Sequence, residues 1–597
     1  MTEKYTYSKA PELRENSVSE GLGRARVDQK VIAKDIPCQA ACPARTNVPG
    51  YIEAIARGDN DTAQRVNREG NVFPGVLGRV CTRPCEAACR HQWTNINGPV
   101  TICHLKRYAA DNNALPAGPL APWFESTGKS IAIIGGGPAG LTAARESRRY
   151  GHAVVVYEKE SHLGGMMMDG IPRFRLPKGV IEADISHITV GDITIETGVT
   201  IDKAAVARLS SEHDAVLVAA GTTVPNALPL AGVTPDQALD GLTFMKAYNN
   251  GGITSMEGDA VIIGGGFTAV DCARSCARAA RRLLGEGGNV SVMYRRTEHF
   301  MSADSAELEE LERENITVRT LVAPVSARSK NGKITAVTFR RNMITRESDG
   351  EKRKVIPVEN SEFDIPCANL IIAIGQQQDW SLLPDGVALT HDHATTQDNL
   401  FTAGDFSTGS NDVISAVAHG KSAADAIDTF LMGEARAFDA VSIEAIDLDA
   451  DGETGRLRDD DLRPPRSMPI LPVPLRAEDD NEVETGHTEA EALSNANRCY
   501  FCHYKFEIDS DKCIHCDWCV GVSPRECIKR VSRVFHDEDG YVTSVMDASR
   551  AREGTYIWID SHECIRCGKC LRVCPTGAIS MKKTTKVRVD GCGRRLA

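Results

Sequence analysis

Cys564, Cys567, Cys570 and Cys574, the last followed by Pro575, form a CxxCxxCxxxCP run and give the sharpest chemical signal in this 597-residue chain. An iron–sulfur cube needs four converging thiolates; a tight loop of this kind supplies three and a distant cysteine the fourth. Zinc is the alternative for clustered cysteines, but the spacing is that of [4Fe-4S] sites. A second run holds Cys513, Cys516 and Cys519, with Ser523-Pro524 where the fourth cysteine is expected and Cys527 four residues further on. In two-cluster ferredoxins the last cysteine of each run serves the other cube. That rule groups Cys513, Cys516 and Cys519 with Cys574, and Cys564, Cys567 and Cys570 with Cys527, leaving Ser523 open as a substitute for Cys527.

Two glycine loops point to nucleotides. Gly135, Gly137 and Gly140 follow the apolar run IAII and open a helix with Pro138 and Ala139 in its first turn, and Glu158 ends the next strand. A pyrophosphate packs against backbone N–H groups at such a helix start, where a Cβ would block the approach, and the acid accepts hydrogen bonds from a ribose. The second loop, Gly264, Gly266, Thr268 and Ala269, is answered by Arg295 and Arg296 where an NAD-preferring site carries an acid. Arginine there pairs with a 2′-phosphate, which favours NADPH; solvated arginines and NADH are the alternative.

These residues need scaffolds. Each loop sits in a strand–helix–strand unit, so the core of the chain reads as α/β with two dinucleotide-binding, Rossmann-like folds. Hydrophobic residues make up 42% and charged residues 25%, as in a globular protein, and the net charge of -12 argues against a nucleic-acid or anionic-membrane binder. No apolar run reaches a spanning length and the first thirty residues carry no apolar signal core, so a cytoplasmic protein is expected. The twenty cysteines accordingly read as metal ligands, not disulfides.

The expected organisation is an arm over residues 1–30, a helical iron–sulfur domain over 31–120 and, as a family resemblance implies, an FAD-binding domain over 128–245 and 376–440. An NAD(P)H-binding domain occupies 246–375, an extended acidic linker 441–490, and a ferredoxin-like α+β domain 491–597. Thr488 and Glu491 suggest a capping box on a helix leading to Cys499.

The order GGGPAG with Glu158, GGMMMDGIPRFRLPK, VLVAAGT, GGGFTAVD, YRRT, IIAIGQ and NLFTAGDF resembles the small subunit of glutamate synthase. It is similar as well to the corresponding part of dihydropyrimidine dehydrogenase and to flavin subunits of NADPH-linked ferredoxin oxidoreductases, over about residues 35 to 430. The resemblance implies FAD on the first fold and NADP(H) on the second, the latter domain inserted in the former. It further implies that Gly165, Arg173, Gly221, Gly375, Gly404 and Asp405 join the cofactor sites, and that residues 411–420 lie along the flavin. Phe267 departs from the family's usual Asn in GGGNTA. No redox cysteine pair stands beside the flavin; Cys272 and Cys276, at i and i+4, read as packed thiols, and Cys367 and Cys592 have no partner spacing.

CQAACPARTNVPGYI, GRVCTRPCEAAC and PVTICHLKRY resemble the family's N-terminal two-cluster domain, but the usual upstream EAxRCLxC element is missing before Cys38. EALSNANRCYFC, with Cys499 and Cys502, resembles the missing piece at the other end of the chain. The expectation is that Cys499 and Cys502 fold back to join Cys38 and Cys89, while Cys42, Cys81, Cys85 and Cys103 hold another cluster. Cys103 would then replace a ligand that a Gln supplies in some relatives, Lys106 standing where that Gln would be. One N-terminal cluster, with Cys499 and Cys502 outside it, is the rival arrangement.

A hydride carrier, a flavin and one-electron clusters suggest an electron-transfer subunit that links NADP(H) to ferredoxin or to a catalytic partner in a hetero-oligomer. A glutamate synthase small subunit, a bifurcating flavoenzyme and a non-enzymatic wiring subunit are the alternatives; the C-terminal ferredoxin segment weighs against the first. Replacing Cys499 and Cys502 together should lower the iron content by about four per chain if they complete a cube, measured by iron analysis of anaerobically purified protein; an unchanged count excludes the fold-back.

Overall fold

The computed structural model describes residues 35–93, 97–116, 118–234, 237–285, 288–345, 354–391, 393–446, 460, 462–476, 479–509, 511–536, 542–548, 556–560 and 563–596. The arm over residues 1–30 and residues 447–459 of the linker lie outside them. The chain forms two compact units. One comprises Ser126–Ile427 with Pro469–Thr485; the other comprises Met1–Glu125, Asp428–Met468 and Gly486–Ala597.

In the first unit, β1 (Ser130–Ile134), β2 (Ala153–Glu158), β3 (Ile193–Thr197), β4 (Ala215–Val218) and, far along the chain, β10 (Leu400–Thr402) make a parallel sheet in the order β10-β4-β1-β2-β3. Between β4 and β10 the chain builds a second parallel sheet from β5 (Ala238–Asp240), β6 (Ala260–Ile263), β7 (Val290–Tyr294), β8 (Thr317–Thr320) and β9 (Asn369–Ile372), in the order β5-β9-β6-β7-β8. Central strands covered on both faces must be apolar throughout, and AVLV of β4 and AVII of β6 are buried at every position. One dinucleotide fold is therefore inserted in the other. Its start precedes residue 246, because β5 and the helix Gly241–Asn249 pack with the second sheet. The strand Val224–Pro225 pairs with Gln376–Gln377 where the chain crosses between the sheets.

In the Ala- and Arg-rich helix after the second glycine loop, α2 (Phe267–Leu284), Arg274 and Arg278 are buried. They converge on Glu314: Arg274 Nη2 lies 3.0 Å from Glu314 Oε1 and Arg278 Nη1 2.8 Å from Oε2. Arg476, from the segment read as extended linker, adds a contact of 3.0 Å. Both helix arginines also stack over Phe174, Arg278 at 3.7 Å from the ring centre. Burial pushes the Glu314 carboxyl up, yet Arg274 and Arg278 outweigh it and hold it at about 2.

In the second unit, short helices Val48–Ala56, Asn60–Asn71, Pro74–Val80 and Ile102–Asp111 carry the N-terminal cysteines. The C-terminal portion adds two antiparallel three-stranded sheets. Ala437–Ile446, assigned from sequence to the end of the FAD domain and the start of the linker, is instead an edge strand pairing along Ile579–Asp590. Its alternating AVSIEAI supplies the register, which the acidic residues after it obscured. The capping box of Thr488 and Glu491 forms on the helix Glu489–Ala496.

Arg498, fully buried, joins the two ends of the chain. Its guanidinium donates to the carbonyls of Pro99 (2.6 Å), Gly98 (2.9 Å), Asn97 (3.0 Å) and Arg463 (2.9 Å). Glu53 receives His503 and Lys583, each at 2.9 Å, and the Tyr504 hydroxyl. Helices from the first hundred residues and strands from the last hundred thus share one interior.

Removing one partner of a buried ion cluster leaves the others uncompensated, at about 3–5 kcal/mol. Glu314→Gln should destabilise the dinucleotide-binding unit by about that amount in urea unfolding followed by circular dichroism. Because the folded carboxyl titrates below its ordinary 4.5, the stabilisation it gives is present above that pH and fades as pH falls toward 2; the variant should lack this acid limb.

Candidate functional site

The nucleotide loops lie at the carboxyl ends of their strands, where open parallel sheets bind ligands. Gly135 and Gly137 turn the chain from β1 into α1 (Pro138–Arg149), whose first turn holds Pro138, Ala139 and Gly140. A Cβ on Gly140 would stand 1.9 Å from the Gly135 carbonyl oxygen, so only glycine lets helix and strand meet so tightly. Glu158 closes β2, buried, with Oε2 accepting the Gly136 N–H at 2.7 Å and Oε1 accepting the Glu160 N–H at 2.9 Å. Those two N–H donors fix the carboxylate beside the loop.

Gly404 follows β10 at φ +64°, and a Cβ there would come within 2.7 Å of the Ala139 Cβ; the close approach brings Asp405 to the start of α1. Burial pushes the Asp405 carboxyl up to about 7, with only the Asn411 N–H, at 3.2 Å, opposing it. Such a group is short of hydrogen-bond donors, as fits a neighbour rich in ligand hydroxyls. Gly165 caps the short helix Met166–Asp169 and packs against Gly137; past it Arg173 donates to Met168 Sδ at 3.4 Å while its Nη1 is buried without a partner. An orphaned guanidinium nitrogen and an under-donated carboxyl beside the loop suit a bound dinucleotide. Gly221 follows β4, and α3 (Val413–Met432) begins beyond Asp405, within residues 411–420.

The second loop repeats the arrangement: Gly264 and Gly266 after β6, Thr268 and Ala269 in the first turn of α2. Arg295 and Arg296 follow β7 with exposed side chains, their backbone carbonyls held by Asn342 Nδ2 at 3.1 Å and Leu321 N–H at 3.0 Å. Tyr294 shields Gly265, and Gly375 follows β9 at φ +95°. Phe267 opens α2 with the Arg175 guanidinium 6.0 Å from its ring centre. Cys272 and Cys276 are buried in the core behind α2, away from solvent, as packed thiols.

All sixteen candidate ligand cysteines lie in the second unit. One cavity is lined by Cys38, Cys89, Cys499 and Cys502, which brings the two chain ends together. A second is lined by Cys513, Cys516, Cys519 and Cys574, and a third by Cys527, Cys564, Cys567 and Cys570, with Ser523 at its wall. The Ser523 hydroxyl lies 3.1 Å from Cys527 Sγ. In the fourth set Cys103 shares hydrogen bonds with Cys81 and Cys85, and Lys106 acts on these three and on Cys42. Every one of these thiols is free of disulfides. Among the described residues no three His, Cys, Asp or Glu side chains approach the spacing of a single bound ion. A cube places its own irons and sulfides between the thiolates, so thiols ringing a cavity are the donor geometry that fits it.

The sets stand in series. Burial pushes Tyr51 up, and Cys85, Cys103, Cys38 and Cys42, drawn from both N-terminal sets, add to it; its hydroxyl donates to the Ile102 carbonyl at 3.0 Å. Arg90, buried over the Tyr500 ring, lies 3.5 Å from Cys502 Sγ and also acts on Cys564, bridging to the next set. A hydrogen bond shared with Cys527 pulls Cys564 down, helped by Arg566 and Arg90. Cys570 in turn feels Cys519, in the last set. Cys516 is exposed there, flanked by Ile514 and Trp518 at 63% and 60% exposure, so the series ends at the surface. Tyr51 and Arg90 carried no signal in the sequence beyond Arg90 following a candidate ligand directly.

Comparison with known proteins agrees with this architecture. Residues 129–420 match the pyridine nucleotide-disulphide oxidoreductase family, residues 26–116 the dihydropyrimidine dehydrogenase domain II 4Fe-4S cluster family, and residues 557–580 the 4Fe-4S binding domain family. The chain is 32% identical to the NADP(+)-dependent formate dehydrogenase subunit beta of Moorella thermoacetica, over 78% of this chain and 70% of that protein. It is 33% identical to the NADPH-Fe(3+) oxidoreductase subunit beta of Geobacter sulfurreducens, over 59% of this chain and about half (52%) of that protein. With the glutamate synthase [NADPH] small chain of Azospirillum brasilense it shares 29% identity over 68% of this chain and 89% of that one. Among the described residues no helix is long and apolar enough to cross a membrane. The chain belongs to the glutamate synthase small-subunit-like family of FAD- and iron–sulfur-containing NAD(P)H oxidoreductases, extended by a C-terminal 4Fe-4S domain.

Proposed function

We propose that this chain is the electron-transfer subunit of a larger oxidoreductase, exchanging electrons between NADP(H) and a catalytic subunit or ferredoxin. The observation that carries the proposal is the series of four cysteine sets in one compact unit, buried at the Cys42 set and exposed at the Cys516 set. FAD accepts a hydride as an electron pair and releases electrons singly to [4Fe-4S] clusters, which carry one each.

The residues' own work is binding and insulation. Gly135, Gly137 and Gly140 open the backbone to a pyrophosphate, Glu158 receives ribose hydroxyls, and Asp405 and Arg173 meet the remaining polar surface of FAD. Gly264, Gly266 and Thr268 do the same for NADP(H), and Arg295 and Arg296 grip its 2′-phosphate. The four cluster ligand sets are Cys42, Cys81, Cys85 and Cys103; Cys38, Cys89, Cys499 and Cys502; Cys527, Cys564, Cys567 and Cys570; and Cys513, Cys516, Cys519 and Cys574. Burial of twelve of these sixteen thiols keeps water and oxygen from most of the cluster surface, and the exposed loop around Cys516 is where the partner docks. The names of the formate dehydrogenase and Fe(3+) oxidoreductase relatives, both beta subunits, support a partner that holds the terminal substrate.

Anaerobic titration of purified protein with NADPH and, separately, NADH, following flavin bleaching and cluster EPR beside an iron count, tests this directly. NADPH should bleach the flavin and reduce the clusters of a chain carrying about sixteen irons, four per cube; no reduction by either nucleotide overturns the proposal. Charge-assisted contacts to a phosphate contribute about 1.5–3 kcal/mol. Arg295→Ala with Arg296→Ala should therefore raise KM for NADPH about 10- to 100-fold while leaving that for NADH nearly unchanged, and reduction of the parent protein by NADH alone would remove the assigned role of these arginines.

A further inference from the structure

The helix Ile102–Asp111 carries Cys103 and, one turn later, Lys106. Lys106 is only 2% exposed. Among the described residues no carboxylate lies within ion-pairing distance of its ammonium. Glu86, on which Lys106 acts, turns Oε1 to the Cys103 backbone N–H at 2.9 Å. The thiol groups of Cys103, Cys81, Cys85 and Cys42 are the charges that act most strongly on it. An uncompensated buried cation costs several kcal/mol, so a chain that keeps one there must answer it with negative charge.

A [4Fe-4S] cube with four thiolates supplies that charge, carrying about -2 when oxidised and -3 when reduced. On the four-cluster reading above, we propose that Lys106 is the internal counter-charge of the cluster held by Cys42, Cys81, Cys85 and Cys103 and raises its reduction potential. One electron enters the cube, nothing leaves, and the fixed ammonium favours the more negative product over the reactant. The other sets differ: Arg90 is divided between Cys502 and Cys564, and Arg566 spends its Nε on the Tyr504 carbonyl at 3.0 Å. The Lys106 site therefore fills early during reduction and stores an electron at the buried end of the series.

The test is an anaerobic EPR-monitored redox titration of the full chain with an iron count on the same samples. It compares the parent protein, Lys106→Met and Lys106→Arg, with Cys103→Ser used to identify the signal of this cluster. The Met variant should keep about sixteen irons while that one signal moves down by at least tenfold in its reduction equilibrium, about 59 mV for one electron; the other three should stay in place. The Arg variant should recover most of the shift. An unmoved signal in a fully loaded Met variant overturns the proposal, as does an Arg variant that moves as far as Met. Should Met lose four irons, Lys106→Leu is read against the same two outcomes. A parent protein with only about twelve irons would instead refute the four-cluster reading itself.

Discussion

Four thiolates must meet around a body wider than any single ion, and no short loop can supply all four from one side. Three of the cysteine sets show what this demands: a tight run gives two or three sulfurs and a residue remote in sequence closes the ring. The consequence spreads through the second unit. Cys499 and Cys502 reach Cys38 and Cys89 only if the last hundred residues pack into the first hundred, and that contact is what Arg498, Glu53, His503 and Lys583 secure. The carbonyls of Pro99, Gly98 and Asn97 all close on that one buried guanidinium.

Electrostatics then differentiates sites that share one ligand chemistry. A lysine beside one set, an arginine divided between two others and an exposed loop at the last give neighbouring cubes different surroundings. Reduction potentials of such cubes follow local charge, hydrogen bonding and exposure. The two dinucleotide folds solve a simpler problem, presenting backbone N–H groups at strand ends twice with nearly the same loop, the first answered by an anchored acid, Glu158, and the second by Arg295 and Arg296.

The parts visible in the sequence are those where chemistry fixes spacing. The ferredoxin runs, both glycine loops and Glu158 can be read from residue types and intervals, because a cube or a pyrophosphate tolerates little variation in them; the insertion of one fold in the other was legible only through the family resemblance. The grouping of Cys499 with Cys38 was legible only because EALSNANRCYFC stands at the wrong end of the chain and invites the question of where it goes. The rest was hidden because it depends on tertiary neighbours. Nothing in the Ala- and Arg-rich helix marks Arg274 and Arg278 as an ion-pair site until Glu314 is placed against them. Ala437–Ile446 was masked by the acidic stretch beyond it, and β5 by the shortness of a three-residue strand. Lys106 and Arg90 have ordinary sequence surroundings; only burial distinguishes them.

The cavity shared by Cys38, Cys89, Cys499 and Cys502 also sets an order of events during synthesis. Two of its sulfurs leave the ribosome about 400 residues before the other two, which at roughly 5–20 residues per second is a delay on the order of 20 to 80 seconds. The Cys42 set is complete long before that interval ends and can be loaded on a nascent chain, whereas the Cys38 set stays half-built through the making of both nucleotide folds. Completion of these sites is therefore split in time: the junction between the two ends waits for Cys502, and the two C-terminal sets follow it, closing only with Cys570 and Cys574.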